Sequence, residues 1–256
     1  MTETLKTRII TAAVLIVAAL VFILLFPTPW FAVTTLILVI AVGGMEWSRL
    51  VSLTDMKQGL YVIGLLILAY FSYKSPTLSW FFVTLGFLWW FINLVMLFRY
   101  KQDSVFYKNN PLMLRLSGYF VLLSAWSAAV ILHAYNPYLI LFLVLLVAAA
   151  DSGAYFAGKS FGKNKLVPQI SPGKTREGLL GGFIAALIIA FIGANLFSLG
   201  EIYFRQFIYL SAIATLLSVA GDLFISLMKR EAGAKDSGNI LPGHGGILDR
   251  VDGLIA

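Results

Sequence analysis

The sequence predicts an all-α, polytopic integral membrane protein, and three observations carry that prediction. The chain is 60% hydrophobic and 12% charged, with a mean hydropathy of +0.89. A soluble domain of 256 residues has too little interior to cover that much apolar surface. The apolar residues also fall in runs near the roughly 20 residues that a membrane-crossing helix needs. Finally, the basic residues gather on alternate connections between those runs.

Eight spans are expected, at about Arg8–Phe26, Trp30–Trp47, Gly59–Tyr73, Leu78–Phe98, Leu116–Ala134, Tyr138–Ala157, Gly178–Leu199 and Gln206–Met228. Lys6 and Arg8 before the first run imitate a signal peptide. The run is long, however, and Phe26-Pro27-Thr28-Pro29-Trp30 offers no small-x-small cleavage site, so it reads as a retained span. The third run is short, which implies tilt or displacement. Trp30, Trp80, Trp89 and Trp90 suit the interfacial belts that tryptophan prefers. Tyr100–Ser117 mixes basic and apolar residues and reads equally as a surface-lying segment or a solvated loop. Gly253-Leu254-Ile255-Ala256 looks like the opening of a ninth span.

With the N-terminus in the cytoplasm, 17 of the 19 basic residues fall on cytoplasmic segments, and only Lys74 and Arg205 lie opposite. The chain reads as one transmembrane domain over residues 1–256. Residues 1–135 carry little motif content, and residues 136–256 carry the loops and signature where chemistry is expected.

Composition also excludes. There is no Cys, so there is no disulfide framework, thiolate site or Cys nucleophile. His133 and His244 are too few for a multi-His zinc site. The net charge of +7 is distributed for anionic head groups and anionic substrates on one side of a bilayer, not for nucleic acid.

Nine of the 31 charged residues lie between Asp222 and Asp252. Asp222 falls inside the eighth span, where an acid costs about 2.5–3.5 kcal/mol on insertion scales and usually faces a partner or a wet cavity. Ser226, Lys229 and Arg230 follow at helical spacing on the same face. Asp249 and Asp252 flank Arg250 at the next helix start, where acids also serve as ordinary caps. Hard divalent cations take carboxylate and phosphate oxygens, so Asp222 with Asp249 suits Mg²⁺. The turn containing His244, Gly245 and Gly246 allows a phosphate close to backbone. Lys229, Arg230, Lys235 and Arg250 would neutralise that phosphate. Asp151 is a second intramembrane acid, set among small residues that permit close helix contact. Gly173-Lys174-Thr175 is no P-loop, because Pro168 stands where the first glycine belongs. Lys174, Arg176 and the following helix N-terminus can still bind phosphate.

These residues resemble a known family. Ser226-Leu227-Met228-Lys229-Arg230, Lys235-Asp236, Leu241-Pro242-Gly243-His244-Gly245-Gly246 and Asp249-Arg250-Val251-Asp252 are similar to the signature of phosphatidate cytidylyltransferases, the bacterial CDP-diacylglycerol synthases. Asp151-Ser152 with Phe161-Gly162-Lys163, and Ser171-Pro172-Gly173-Lys174-Thr175 with Glu177-Gly178, agree more weakly. The resemblance implies conversion of CTP and phosphatidate to CDP-diacylglycerol and pyrophosphate, with Mg²⁺ and a monovalent ion such as K⁺. It implies Asp222 and Asp249 as metal ligands, and Ser226, Lys229 and Arg230 as phosphate contacts. It also implies a homodimer, a final helix after the signature, and a multi-pass location in the inner membrane with the site facing the cytoplasm. Two other classes compete: an ion-coupled transporter lined by Asp151 and Asp222, and an assembly protein whose loops make only contacts.

Overall fold

Proline and polar caps decide where several helices begin. The computed structural model describes residues 17–99, 110–240 and 245–256. Helix α1 spans Thr28–Leu50. It is followed by α2 (Asp55–Lys74), α3 (Pro76–Arg99), α4 (Pro111–Tyr135) and α5 (Pro137–Phe161). Helices α3, α4 and α5 open on proline, whose fixed φ and missing donor suit the first helical position. The Asn136 side chain caps α5 by accepting from the Tyr138 amide at 3.0 Å. After a two-stranded hairpin come α6 (Arg176–Leu196), α7 (Glu201–Glu231) and the single turn α8 (Leu248–Val251). Thr175 caps α6, accepting from the Gly178 amide at 3.0 Å.

Among the described residues, α1 to α7 are seven helices long and apolar enough to cross a membrane. They correspond to the second through eighth expected spans. Of the first, Arg8–Phe26, residues 8–16 lie outside the described residues, and residues 17–25 are helical. The short third span lengthens to Asp55–Lys74, because Asp55 and Lys57 lower the hydropathy of a turn that is nonetheless helical. Residues 252–254 form a turn, and Ile255 packs into the core at 3% exposure, so no ninth helix opens among the described residues. The middle of α1, Leu36–Val42, is π-helical, a wider winding that composition does not reveal.

The all-α expectation holds with one addition, and the belt reading of two tryptophans needs correction. The fold is all-α apart from an antiparallel hairpin of β1 (Lys165–Val167) and β2 (Ser171–Thr175), pairing Lys165 with Thr175 and Val167 with Ser171. Its apolar anchor, Ile170, is fully buried, and the pairing satisfies backbone groups between two helix ends. Trp30 and Trp80 are exposed, as an interfacial belt requires, but Trp89 and Trp90 are buried. The Trp90 ring meets Phe224 edge-on at 5.8 Å, so core packing claims it instead.

The main core joins α1, α2, α3, α4 and α7, with Trp47, Leu65, Leu122, Leu123 and Phe224 almost fully enclosed. Helices α5 and α6 pack through small residues. A Cβ on Gly153 would lie 2.6 Å from the Ala185 methyl, and one on Gly182 would lie 2.5 Å from the Ala150 carbonyl oxygen. Helix α7 has 31 residues, about 46 Å at 1.5 Å per residue, against a hydrocarbon core of about 30 Å. It is therefore longer than the core thickness, and its last turns, bearing Lys229 and Arg230, lie beside the hairpin and α8.

Candidate active site

The close approach of α5 and α6 leaves a cavity of about 510 Å³ bounded by α5, β2, α6 and α7. Asp151, Lys159, Lys174 and Asp222 line its polar part, and Leu179, Phe183 and Val219 line its apolar part. One space thus offers both charged groups and hydrocarbon-like wall. A ligand with an anionic head and an apolar body matches both.

Asp222 is the centre of the polar side. Its Oδ2 meets the Lys174 ammonium at 2.5 Å, and its Oδ1 accepts from Ser226 Oγ at 3.3 Å. The hairpin delivers Lys174 from β2, and the helical i, i+4 spacing delivers Ser226. Asp151 lies within electrostatic reach of both Asp222 and Lys174.

Asp249 forms a second centre at the start of α8. Lys229 Nζ donates to its Oδ1 at 2.6 Å. Its Oδ2 accepts from the Ser237 amide at 2.8 Å, Ser237 Oγ at 3.0 Å and the Gly246 amide at 3.0 Å. Burial alone would raise the Asp249 carboxyl. The Lys229 ammonium and the two backbone donors outweigh it and hold the group below the usual carboxylate range. Gly245, at φ +79°, takes the left-handed conformation that favours glycine, and a Cβ there would lie 2.6 Å from Asp249 Oδ2.

Asp252 joins the two centres. A Cβ on Gly221 would collide with the Asp252 carbonyl, so α7 and the turn after α8 touch through backbone. Burial, then the nearby charge of Asp222, pushes the Asp252 carboxyl up to about 7, while Lys229 and Lys174 oppose the rise. Acids from α5, α7 and the α8 segment thus surround two ammonium groups.

The other expected residues fall differently. The Arg230 side chain is exposed, and its Nε donates to the Ile170 carbonyl at 3.4 Å, tying α7 to the hairpin. Arg176, Lys235 and Arg250 are exposed around the site. His244 lies outside the described residues. Ser237 and Glu46 were not singled out from sequence, yet both touch the Asp249 centre. Glu46 falls inside the expected span Trp30–Trp47, so the argument that drew attention to Asp151 and Asp222 applied to it as well.

Among the described residues, no three acid or histidine side chains gather into a closed metal cage. Mg²⁺ needs no such cage: it usually takes one or two protein carboxylates and fills its octahedron with water and substrate phosphate. Asp222 faces the cavity and already holds one cation, the Lys174 ammonium. The donor set therefore fits a hard divalent ion completed by an anionic ligand.

Comparison with known proteins identifies the family. Residues 6–256 match the model of the cytidylyltransferase family. The chain is similar to the phosphatidate cytidylyltransferase of Haemophilus influenzae, 36% identical over 98% of this chain and 95% of the relative. It is also similar to the enzyme of that name from Pseudomonas aeruginosa, 37% identical over 98% of this chain and 93% of the relative. A shorter match, 48% identical over 48% of this chain and 46% of the relative, is to the Bacillus subtilis phosphatidate cytidylyltransferase.

Proposed function

Because the chain belongs to the cytidylyltransferase family, we propose that it joins CTP to phosphatidate, yielding CDP-diacylglycerol and pyrophosphate. The observation that carries this reading is the two-natured cavity around Asp222 and Lys174. A nucleotide needs the wet, charged side, and a diacyl lipid needs the apolar wall.

The reaction balances without a strong base. A phosphate oxygen of phosphatidate attacks the α-phosphorus of CTP. A new P–O bond forms, the bond from the α-phosphorus to the bridging oxygen breaks, and pyrophosphate leaves with that electron pair. The phosphomonoester is already an anion, so the barrier is mainly the approach of negative charge to negative charge. Lys174 and Lys159 are placed to neutralise phosphate oxygens in the cavity. Lys174 releases Asp222 as it turns to substrate. Asp222 and Asp249 are the proposed Mg²⁺ ligands, with Asp252 and Asp151 adding negative charge nearby. When bound, the ion would screen the triphosphate and stabilise the departing pyrophosphate. Lys229 holds Asp249 until that exchange, and a K⁺ ion is the proposed second occupant of this acid-rich region.

The basic bundle end carries both centres. We place it at the cytoplasmic face of the inner membrane, following the positive-inside rule. The test is pyrophosphate release and CDP-diacylglycerol formation by purified protein in detergent. It is run with each of the four nucleoside triphosphates, with and without phosphatidate, and with EDTA. Release that needs CTP, phosphatidate and a divalent ion together is expected. Release indifferent to phosphatidate would overturn the reading.

A further inference from the structure

Glu46 is a fully buried carboxylate in α1, far in sequence from the signature yet bonded to it. Its Oε1 accepts from the Ile247 amide at 2.8 Å, and its Oε2 accepts from the Leu248 amide at 2.9 Å. Oε2 also accepts from Ser237 Oγ at 2.8 Å. That same hydroxyl lies 3.0 Å from Asp249 Oδ2. One hydroxyl hydrogen therefore sits between two carboxylates, one from the first described span and one from the Mg²⁺-ligand pair proposed above.

The packing is specific to this carboxylate. A Cβ on Gly246 would fall 2.4 Å from both Glu46 oxygens, and one on Gly238 would fall 2.7 Å from Oε1. Glycines at both positions let the loop close onto Glu46. Leu248, fully buried, lies against Gly43 one turn earlier on α1. A buried acid is costly unless each oxygen is matched by donors. Here the three donors, Ser237 Oγ and the amides of Ile247 and Leu248, belong to the segments that present Asp249.

We infer that Glu46 is a positioning residue: it fixes Ser237, Ile247 and Leu248 so that Asp249 is aimed at its cation, and it does so without touching substrate. The inference rests on the proposed cytidylyltransfer for its functional half only; the positional half can be read in metal-free protein. Partners that orient metal ligands typically contribute about 10–100-fold in metal affinity or activity. Glu46→Gln keeps size and one acceptor but points an NH₂ group at donors, so it should loosen the loop without leaving a void.

The experiment has two arms. In metal-free protein, hydrogen–deuterium exchange of peptides covering residues 245–251 should quicken in Glu46→Gln, while peptides from α5 and α6 keep their wild-type protection. In turnover assays the half-saturating Mg²⁺ concentration should rise, or kcat should fall, by about 10–100-fold, with little change in the KM for phosphatidate. Ser237→Ala should move both readouts the same way by less. The double variant should be no worse than Glu46→Gln, since the hydroxyl and the carboxylate act as one unit. Uniformly faster exchange in every helix would reduce Glu46 to general support and overturn the inference. So would faster loop exchange with an unchanged Mg²⁺ response and kcat. Wild-type protein that makes no CDP-diacylglycerol would sink the proposed reaction instead, and the exchange arm would still decide the placement.

Discussion

The two lysine–aspartate pairs at the bundle end look alike in a contact inventory and differ in kind. Lys174–Asp222 is partly open, with side-chain exposures of 27% and 32%, and it borders the cavity. Lys229–Asp249 is more enclosed, at 16% and 9%, and Asp249 takes three further donor contacts at its other oxygen. An open pair contributes little to stability and exchanges partners readily. A buried pair is strongly destabilising when one member is removed. The first is therefore suited to substrate exchange, and the second to holding a loop in shape.

That contrast can be broken by substitution. Asp222→Asn should cut CDP-diacylglycerol formation the most, on the order of 10³-fold, with thermal stability in detergent near wild type. Asp249→Asn should also abolish turnover. It should in addition lower stability by about 3 kcal/mol, because Lys229 is left half-buried without its counter-charge; a melting curve reads the difference. If both variants melted alike, the distinction between the pairs would fail. Lys174→Ala should be milder, about tenfold in kcat/KM for CTP, and should not lower the melting temperature.

The smallest effect concerns pH. Asp252, with its carboxyl near 7, gains charge as pH rises from 6 to 8, so the site becomes more negative. Half-saturating Mg²⁺ should fall over that interval by less than tenfold per pH unit, and Asp252→Asn should flatten the dependence. A wild-type response independent of pH would show that Asp252 does not feel the cation.

Much of the site was legible because an acid inside an apolar run stands out energetically. Asp151 and Asp222 were found that way, and the structure sets them around one cavity. The hairpin was not legible. Lys163 and Lys165 read as topology-setting charge and Lys174 as a phosphate contact on a loop, and only Ile170 betrays an anchored turn. Trp89 and Trp90 resembled belt residues because sequence position cannot separate a ring facing lipid from one facing Phe224. Glu46 is an acid in an apolar run by the same test, but the sequence hides what it meets. Its partners are some 190 to 200 residues away, and no local spacing encodes such a meeting.

The π-helical stretch of α1 gains meaning from that meeting. An α-helix advances by about 100° per residue, so the phase in which α1 leaves Leu36–Val42 decides which way position 46 looks. A one-residue change in the length of that stretch should alter how α1 presents position 46 to the amides of Ile247 and Leu248. Lipid-facing residues near the centre of the first described span are in that sense part of the aiming of an acid some 200 positions later. Insertions or deletions there should be far less tolerated than any change of apolar side chain.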